Sequence, residues 1–264
     1  MTARLSVVKL GGSAITIKSK PLAPRLSVIK GVSEDLACLY EEGERFIVIH
    51  GGGSYGHPLA SKYRLHKGFT NVVQLKGFAE TELAMRDINS IIVSSLAEAG
   101  VPVAPMHPSC MAVACRGEIA DLYLKPLKLT LELGLIPLLH GDVVMDVKDG
   151  FTVISGDKLA TFLALRFKAK KVVFGMDVKG LFDKDPKVHP DAKLLKVVKV
   201  RELGDASSVP SVRWDVTGGM RAKLLEARKV ASKGILVCMG SILERGGLLK
   251  MVKGIEGDYT VIVP

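Results

Sequence analysis

Amide side chains are nearly missing from this chain: among 264 residues only Asn71, Asn89 and Gln74 carry one. Heat-adapted proteins show the same scarcity, because Asn and Gln are thermolabile. Aromatic residues make up 5% of the chain, with a single tryptophan. That sparseness, and lysines scattered rather than massed on one stripe, weigh against a surface that binds nucleic acid. No uninterrupted apolar stretch is long enough to span a bilayer. The apolar run flanked by Arg4 and Lys9 is too short for a signal-peptide core and reads instead as a first strand. The four cysteines (Cys38, Cys110, Cys115, Cys238) lack metal-ligand spacing. Most sit in apolar context, so the expectation is buried free thiols in a reducing cytosol. No Gly-Lys dipeptide occurs, which excludes a Walker-type phosphate loop.

What is abundant is positive charge. The net charge of +10 asks for an anionic partner, either nucleic acid or small anions steered into a cleft. Charge alone does not choose between them.

The stretch around which the chain is organised is Phe46 to His57, "FIVIHGGGSYGH". Phe46 to Ile49 is short, apolar and β-branched, the pattern of a strand buried on both faces. Three glycines then let the backbone approach a ligand closely, and helical spacing follows. A strand, a bare turn and a helix start together make a place where N–H groups hold an anion. Gly51, Gly53 and Gly56 also satisfy G-x-G-x-x-G, so a dinucleotide site has to be weighed. That fingerprint wants an acidic residue about twenty positions on, at the end of the next strand. The nearest candidate, Glu80, lies inside a helical pattern.

Similar turns recur at Gly11-Gly12-Ser13 and His140-Gly141-Asp142, with helix starts at Gly156-Asp157 and Gly218-Gly219. Strands are expected at Leu5–Leu10, Ala14–Ile17, "VPVAPM", "LIPLLHGD", "KVVFGMDV", "GILVCMG" and "YTVIV". A hairpin is expected about Asp149-Gly150. Helices are expected over Arg25–Glu42, Val73–Ala99, Leu122–Leu133, Lys158–Phe167 with Ser155 as N-cap, and Met220–Lys233. Residues from Lys179 to Val209 read as loop-rich. Strands alternating with helices predict an α/β fold, a mainly parallel sheet covered on both faces. In such a sheet, turns at the strands' carboxyl ends converge on one crevice. Several anion-binding turns with lysines suit phosphoryl transfer, which needs in-line positioning and cations more than covalent chemistry.

The motifs "KLGGSAITIK", "HGGGSYGH", "SGDKLA", "DVKGLFDKDP" and "DVTGGMRAK", colinear from Lys9 to Lys223, together resemble the amino acid kinase superfamily. The histidine after the glycine turn is similar to that of the isopentenyl phosphate kinases, archaeal type, and also of the fosfomycin kinases. The resemblance implies a three-layer αβα sandwich of the carbamate kinase-like fold in one domain, 1–264. Within it an acceptor lobe of 1–145 and a nucleotide lobe of 146–264 are expected. It implies ATP as donor, Mg²⁺ carried on the nucleotide phosphates with no metal site of the protein's own, and isopentenyl phosphate as acceptor. A phosphonate such as fosfomycin is the alternative. A cytoplasmic homodimer that binds neither nucleic acid nor membrane completes the expectation.

Residue by residue, the resemblance assigns Lys9, Gly11, Gly12 and Ser13 to the donor phosphates, and Lys18 to the transferring phosphoryl group. Gly52 and Gly53 would line the junction of acceptor and donor. His57 would hydrogen-bond the acceptor phosphate rather than act as a base, since a monoester is already largely ionised. Beside that dianion its pKa would rise. Asp157 would orient the lysines and Gly156 would contact the acceptor phosphate. Asp177, Gly180, Gly218 and Lys223 would serve the nucleotide. The stripe Phe78, Met85, Ile88 and Ile92 is a candidate apolar wall for the acceptor's organic part, or simply core. A non-enzymatic module that binds nucleotide or nucleic acid is the remaining reading. The full set Lys9, Lys18, His57, Asp157 and Lys223 argues against it, because a sensor has no use for a transfer lysine.

Overall fold

The computed structural model describes residues 5–186, 188–203 and 219–264. Its strands are β1 (Leu5–Leu10), β2 (Arg45–His50), β3 (Val103–Pro105), β4 (Ala112–Cys115), β5 (Glu118–Leu122), β6 (Ile136–His140), β7 (Asp142–Asp146), β8 (Gly150–Ile154), β9 (Lys171–Met176), β10 (Val197–Lys199), β11 (Leu236–Ser241) and β12 (Tyr259–Val263). Its helices are α1 (Gly12–Ile15), α2 (Leu26–Glu41), α3 (Gly53–Lys62), α4 (Val73–Glu98), α5 (Lys125–Glu132), α6 (Gly156–Arg166), α7 (Gly219–Ala231) and α8 (Gly247–Lys253). No helix among the described residues is long and apolar enough to cross a membrane.

Eight strands form one sheet in the order β10-β12-β11-β9-β1-β2-β6-β3. All its neighbours are parallel except β11 and β12. β1 and β2 are buried over nearly their whole length, as strands covered on both faces must be. Alternation divides their side chains between two cores. Val7, Ile47 and Ile49 pack with Leu159 and Leu163 of α6. Val8, Leu10, Phe46 and Val48 pack with Ile29 and Leu36 of α2 and with Met85, Ile88 and Ile92 of α4. The order also sorts the chain: β9 to β12 lie on one side of β1, and β2, β3 and β6 on the other.

A second sheet, β5-β4-β7-β8, was only half foreseen. The β7–β8 hairpin stands where Asp149-Gly150 predicts it. The β4–β5 hairpin was missed, and Leu122, expected to open a helix, ends β5 instead. Its turn uses Arg116 and Gly117, both with positive φ, the geometry of a tight hairpin turn. Arginine at the first of these positions gives no turn signal in the sequence.

Two further expectations are corrected. Gly12–Ile15 is a helical turn, with the Ala14 and Ile15 N–H groups donating to Gly11 O at 2.9 and 3.1 Å, so the extended segment begins only at Thr16. Of the four free cysteines only Cys238 is buried, and Cys38 and Cys110 are exposed. The loop-rich reading of Lys179 to Val209 holds as far as Leu203 apart from β10 and one 3₁₀ turn. Residues 204–209 lie outside the described residues.

One of the three amides, Gln74, is structural. Gln74 is buried and its Nε2 donates to the carbonyls of Tyr63, Arg64 and Gly68 at 3.0–3.3 Å. Its Oε1 accepts from the Thr70 N–H at 2.6 Å. One side chain thereby satisfies the backbone of the α3–α4 connection, which would otherwise be buried unpaired.

Candidate functional site

The carboxyl ends of β1, β2 and β9 and the start of α6 meet at one place, and glycine allows the approach. A Cβ on Gly12 would stand 2.3 Å from Gly53 N, and one on Gly51 would stand 2.9 Å from Gly12 N. Gly53 has φ +49, a left-handed conformation that costs any other L-residue. Gly11 N–H donates to Gly175 O at 2.8 Å, which ties the first turn to β9. Gly156 packs against His50 O and the Lys9 side chain. Gly52 backs onto Gly56 and onto the sulfur of Met85. The turns after β1 and β2 are thus in contact, with the α6 start against both.

Thr16, which sequence reasoning passed over, fastens the two turns. Its Oγ1 donates to Gly12 O at 2.7 Å and accepts from the Ser54 N–H at 2.9 Å. The sequence holds one signal for it: a hydroxyl four residues after a turn glycine reaches back to that glycine's carbonyl once the turn is helical.

Beneath the turns lies a buried charge cluster. Asp157, in the first turn of α6 behind its N-cap Ser155, receives Lys9 Nζ at 2.9 Å and Lys223 Nζ at 2.7 Å. All three side chains are at most 14% exposed. The two ammonium groups hold the Asp157 carboxyl far below the usual carboxylate range, against the opposing effect of burial. Lys223 is pushed down to about 8, by burial first and then by Lys9, with Asp157 opposing. Its ammonium also lies 5.6 Å from the centre of the Phe174 ring. One carboxylate between two lysines leaves positive charge uncompensated at a place that excludes water, which is an anion site.

A second pair borders the first. Ser13 Oγ donates to Asp177 Oδ1 at 2.9 Å, and Lys18 Nζ stands 3.5 Å from Asp177 Oδ2. Lys18 is 69% exposed, so its ammonium is loosely held and free to follow an incoming group. His57, on α3, is exposed, yet it lies within the field of Lys9, Lys223 and Lys18. The sequence reading expects its pKa to rise beside a bound dianion. Among the protein's own groups the balance runs the other way: desolvation first, then Lys9, holds it below the usual histidine range, with Asp157 opposing.

The structure brings together Lys9, Gly11, Gly12, Ser13, Lys18, Gly52, Gly53, Gly156, Asp157, Asp177 and Lys223 through these contacts, with His57 in the same field. Gly180 is placed differently. It has φ +153, and a Cβ there would meet Thr260 Oγ1 at 2.5 Å, so its need for glycine comes from packing on β12. Gly218 lies outside the described residues. Met85 reaches the second turn, but Ile88 and Ile92 are wholly within the core, so the expected apolar wall is mostly core. Among the described residues no cluster of His, Cys, Asp or Glu could hold a metal ion.

The sequence matches the amino acid kinase family over residues 4–241. It is 36% identical to the isopentenyl phosphate kinase of Methanothermobacter thermautotrophicus over 238 residues, 87% of this chain and 88% of that one. It is 32% identical to the isopentenyl phosphate kinase of Methanocaldococcus jannaschii over 267 residues, 97% and 99% of the two chains. Among solved structures, an isopentenyl phosphate kinase superposes with a TM-score of 0.83 at 30% identity, over 98% of this chain and all of that one.

Proposed function

The chain belongs to the amino acid kinase family, and from that premise we propose that it transfers a phosphoryl group from ATP to isopentenyl phosphate, giving isopentenyl diphosphate. The observation that carries the reading is the Lys9–Asp157–Lys223 cluster beneath two touching glycine turns. It supplies cations and close-approaching backbone where donor and acceptor phosphates would lie end to end.

In this reading Lys9, Gly11, Gly12, Ser13 and Lys223 hold the donor phosphates, with Asp177, Gly180 and Gly218 on the nucleotide side. Asp157 contacts the ammonium groups of both Lys9 and Lys223 and holds them in place. Lys18, swinging from Asp177, follows the transferring group and offsets its developing charge. Gly52, Gly156 and His57 receive the acceptor phosphate, and Gly53 lies between the two. The acceptor oxygen is already ionised, so no proton has to be removed and His57 serves as a hydrogen-bond donor. The residues fit a magnesium–nucleotide complex in one respect: the lysine cluster matches the phosphates, and Mg²⁺ would be held by those phosphates. When bound it neutralises their charge. Strand order supports an acceptor lobe of 1–145 and a nucleotide lobe of 146–264 only within the large sheet, where β2, β3 and β6 lie on one side of β1 and β9 to β12 on the other, while the β7–β8 hairpin straddles the boundary. A homodimer in a reducing cytosol, where exposed Cys38 and Cys110 stay thiols, completes the proposal.

The test is a coupled assay of ADP release with isopentenyl phosphate, fosfomycin and acetylglutamate offered in parallel. Turnover led by isopentenyl phosphate is expected. Turnover on fosfomycin without isopentenyl phosphate would transfer the reading to phosphonates.

A further inference from the structure

The strands that flank the acceptor side end in the same device. His50 closes β2 and His140 closes β6. The two are register partners on adjacent parallel strands, with ring centres 5.2 Å apart. Both are buried, at 0% and 1% exposure. Each places Nδ1 beside the carbonyl oxygen of the glycine that follows it, 3.2 Å from Gly51 O and 3.1 Å from Gly141 O.

A carbonyl oxygen only accepts, so Nδ1 must carry the proton in both rings. A neutral imidazole has one proton, so both Nε2 atoms must accept. At His140 the donor is His107, whose Nδ1 stands 3.0 Å from Nε2. At His50 it is Asn89: the atom placed 3.1 Å from Nε2 is its Oδ1, and the proton on Nδ1 requires the amide to be turned end for end, so that its NH₂ faces the ring. Burial above all holds both histidines below the usual range and therefore neutral, His50 at about 3. Asp142 Oδ2 is 3.8 Å from His140 Nδ1, beyond hydrogen-bond reach, and accepts from the Ser109 N–H instead. The two rings are thus locked in the Nδ1–H tautomer, each by a dedicated partner.

What the locked tautomer fixes is a peptide plane. A trans peptide sets its N–H opposite its C=O, so drawing Gly51 O to the α4 face turns the Gly52 N–H the other way. Gly141 is bonded and packed in the same manner. Its N–H donates to His50 O at 3.0 Å, and a Cβ on it would stand 2.7 Å from Gly156 N. A carbonyl turned in among the lysines would repel an incoming phosphate, whereas an N–H would hold it. We propose that His50 and His140 are positioning residues for the acceptor phosphate, each holding a glycine carbonyl out of the anion site: His50 thereby keeps the Gly52 N–H aimed into it, and His140 fixes the Gly141 peptide against which Gly156 packs. This rests on the placement of the acceptor phosphate at Gly52, Gly156 and His57.

Asn and Gln separate the two ring nitrogens: Asn sets its NH₂ where histidine has Nδ1, and Gln sets it where histidine has Nε2. In steady-state kinetics His50→Gln and His140→Gln should raise the acceptor KM about tenfold or more and leave the ATP KM within about twofold. His50→Asn and His140→Asn should restore most of that loss. Equal acceptor KM values for the Asn and Gln variants, or equal rises for both substrates, would overturn the proposal. Two-dimensional ¹⁵N–¹H spectra of wild-type protein labelled at histidine need no variant to fold. They should show Nδ1–H at both residues, and Nε2–H at His140 would equally overturn it. Failure of wild-type turnover on isopentenyl phosphate would refute only the acceptor assignment. The tautomers, and the Asn–Gln contrast on whichever acceptor turns over, would still decide this inference.

Discussion

Gly12 and Gly53 touch: a methyl group on Gly12 would stand 2.3 Å from the Gly53 nitrogen, and one on Gly53 would stand 2.6 Å from the Gly12 carbonyl oxygen. Residues 41 positions apart thereby bring the ends of β1 and β2 together with nothing between them. Gly53→Ala should unfold or inactivate the protein. The left-handed backbone alone costs about 1–2 kcal/mol, before the overlap with Thr16 Oγ1 at 2.2 Å is counted. Thr16→Val, which keeps the shape and removes both hydrogen bonds, should cost about 1–3 kcal/mol. Chemical denaturation measures both, and a Thr16→Val midpoint equal to wild type would contradict the fastening role.

His57→Ala should raise the acceptor KM at least about tenfold and lower kcat, with little effect on the ATP KM. An unchanged acceptor KM would remove His57 from the acceptor site.

Lys223 sets an alkaline limit. Its pKa of about 8 means that the ammonium is charged below that pH and discharged above it. The value of kcat/KM for ATP, which reports the free enzyme, should therefore fall as pH rises through about 8. Lys223→Arg keeps its charge and should move the fall to higher pH. Superimposable profiles would show that Lys223 does not govern donor binding.

A second titration belongs to the fold. Burial, and then contact with Asp142, push the Glu82 carboxyl up from 4.5 to about 7. Its Oε1 is buried without a donor, which a proton on Glu82 resolves by donating to Asp142. The folded state thus keeps a proton that the unfolded chain has lost between pH 4.5 and about 7. Stability from this pair is greatest below that window, declines as pH rises through it and is level above it. Glu82→Gln keeps a donor without the charge, so its melting temperature should decline less across the window. Parallel curves for the two proteins would refute the shared proton.

Much of the fold could be read because its strongest signals are local. β1, β2, β6 and β9 are apolar runs that end in glycine or polar turns, and α2 and α4 keep their period over many residues. The β4–β5 hairpin could not be read, because its turn relies on Arg116 in a positive-φ position that arginine rarely takes. Lys9, Asp157 and Lys223 stand out by motif. The pairing of both lysines on one carboxylate is a tertiary fact, since it joins β1, α6 and α7. His50 and His140 illustrate the same limit. Each reads as the polar end of an apolar strand, and only the register of β2 on β6 makes them a pair.

The most direct measurement is a ³¹P NMR spectrum of isopentenyl phosphate incubated with ATP, Mg²⁺ and the protein. The monoester resonance should disappear as the coupled pair of a diphosphate ester and the signals of ADP grow in equal amounts. A monoester resonance that persists while ATP is consumed, or while fosfomycin in the same tube is phosphorylated, would contradict the account.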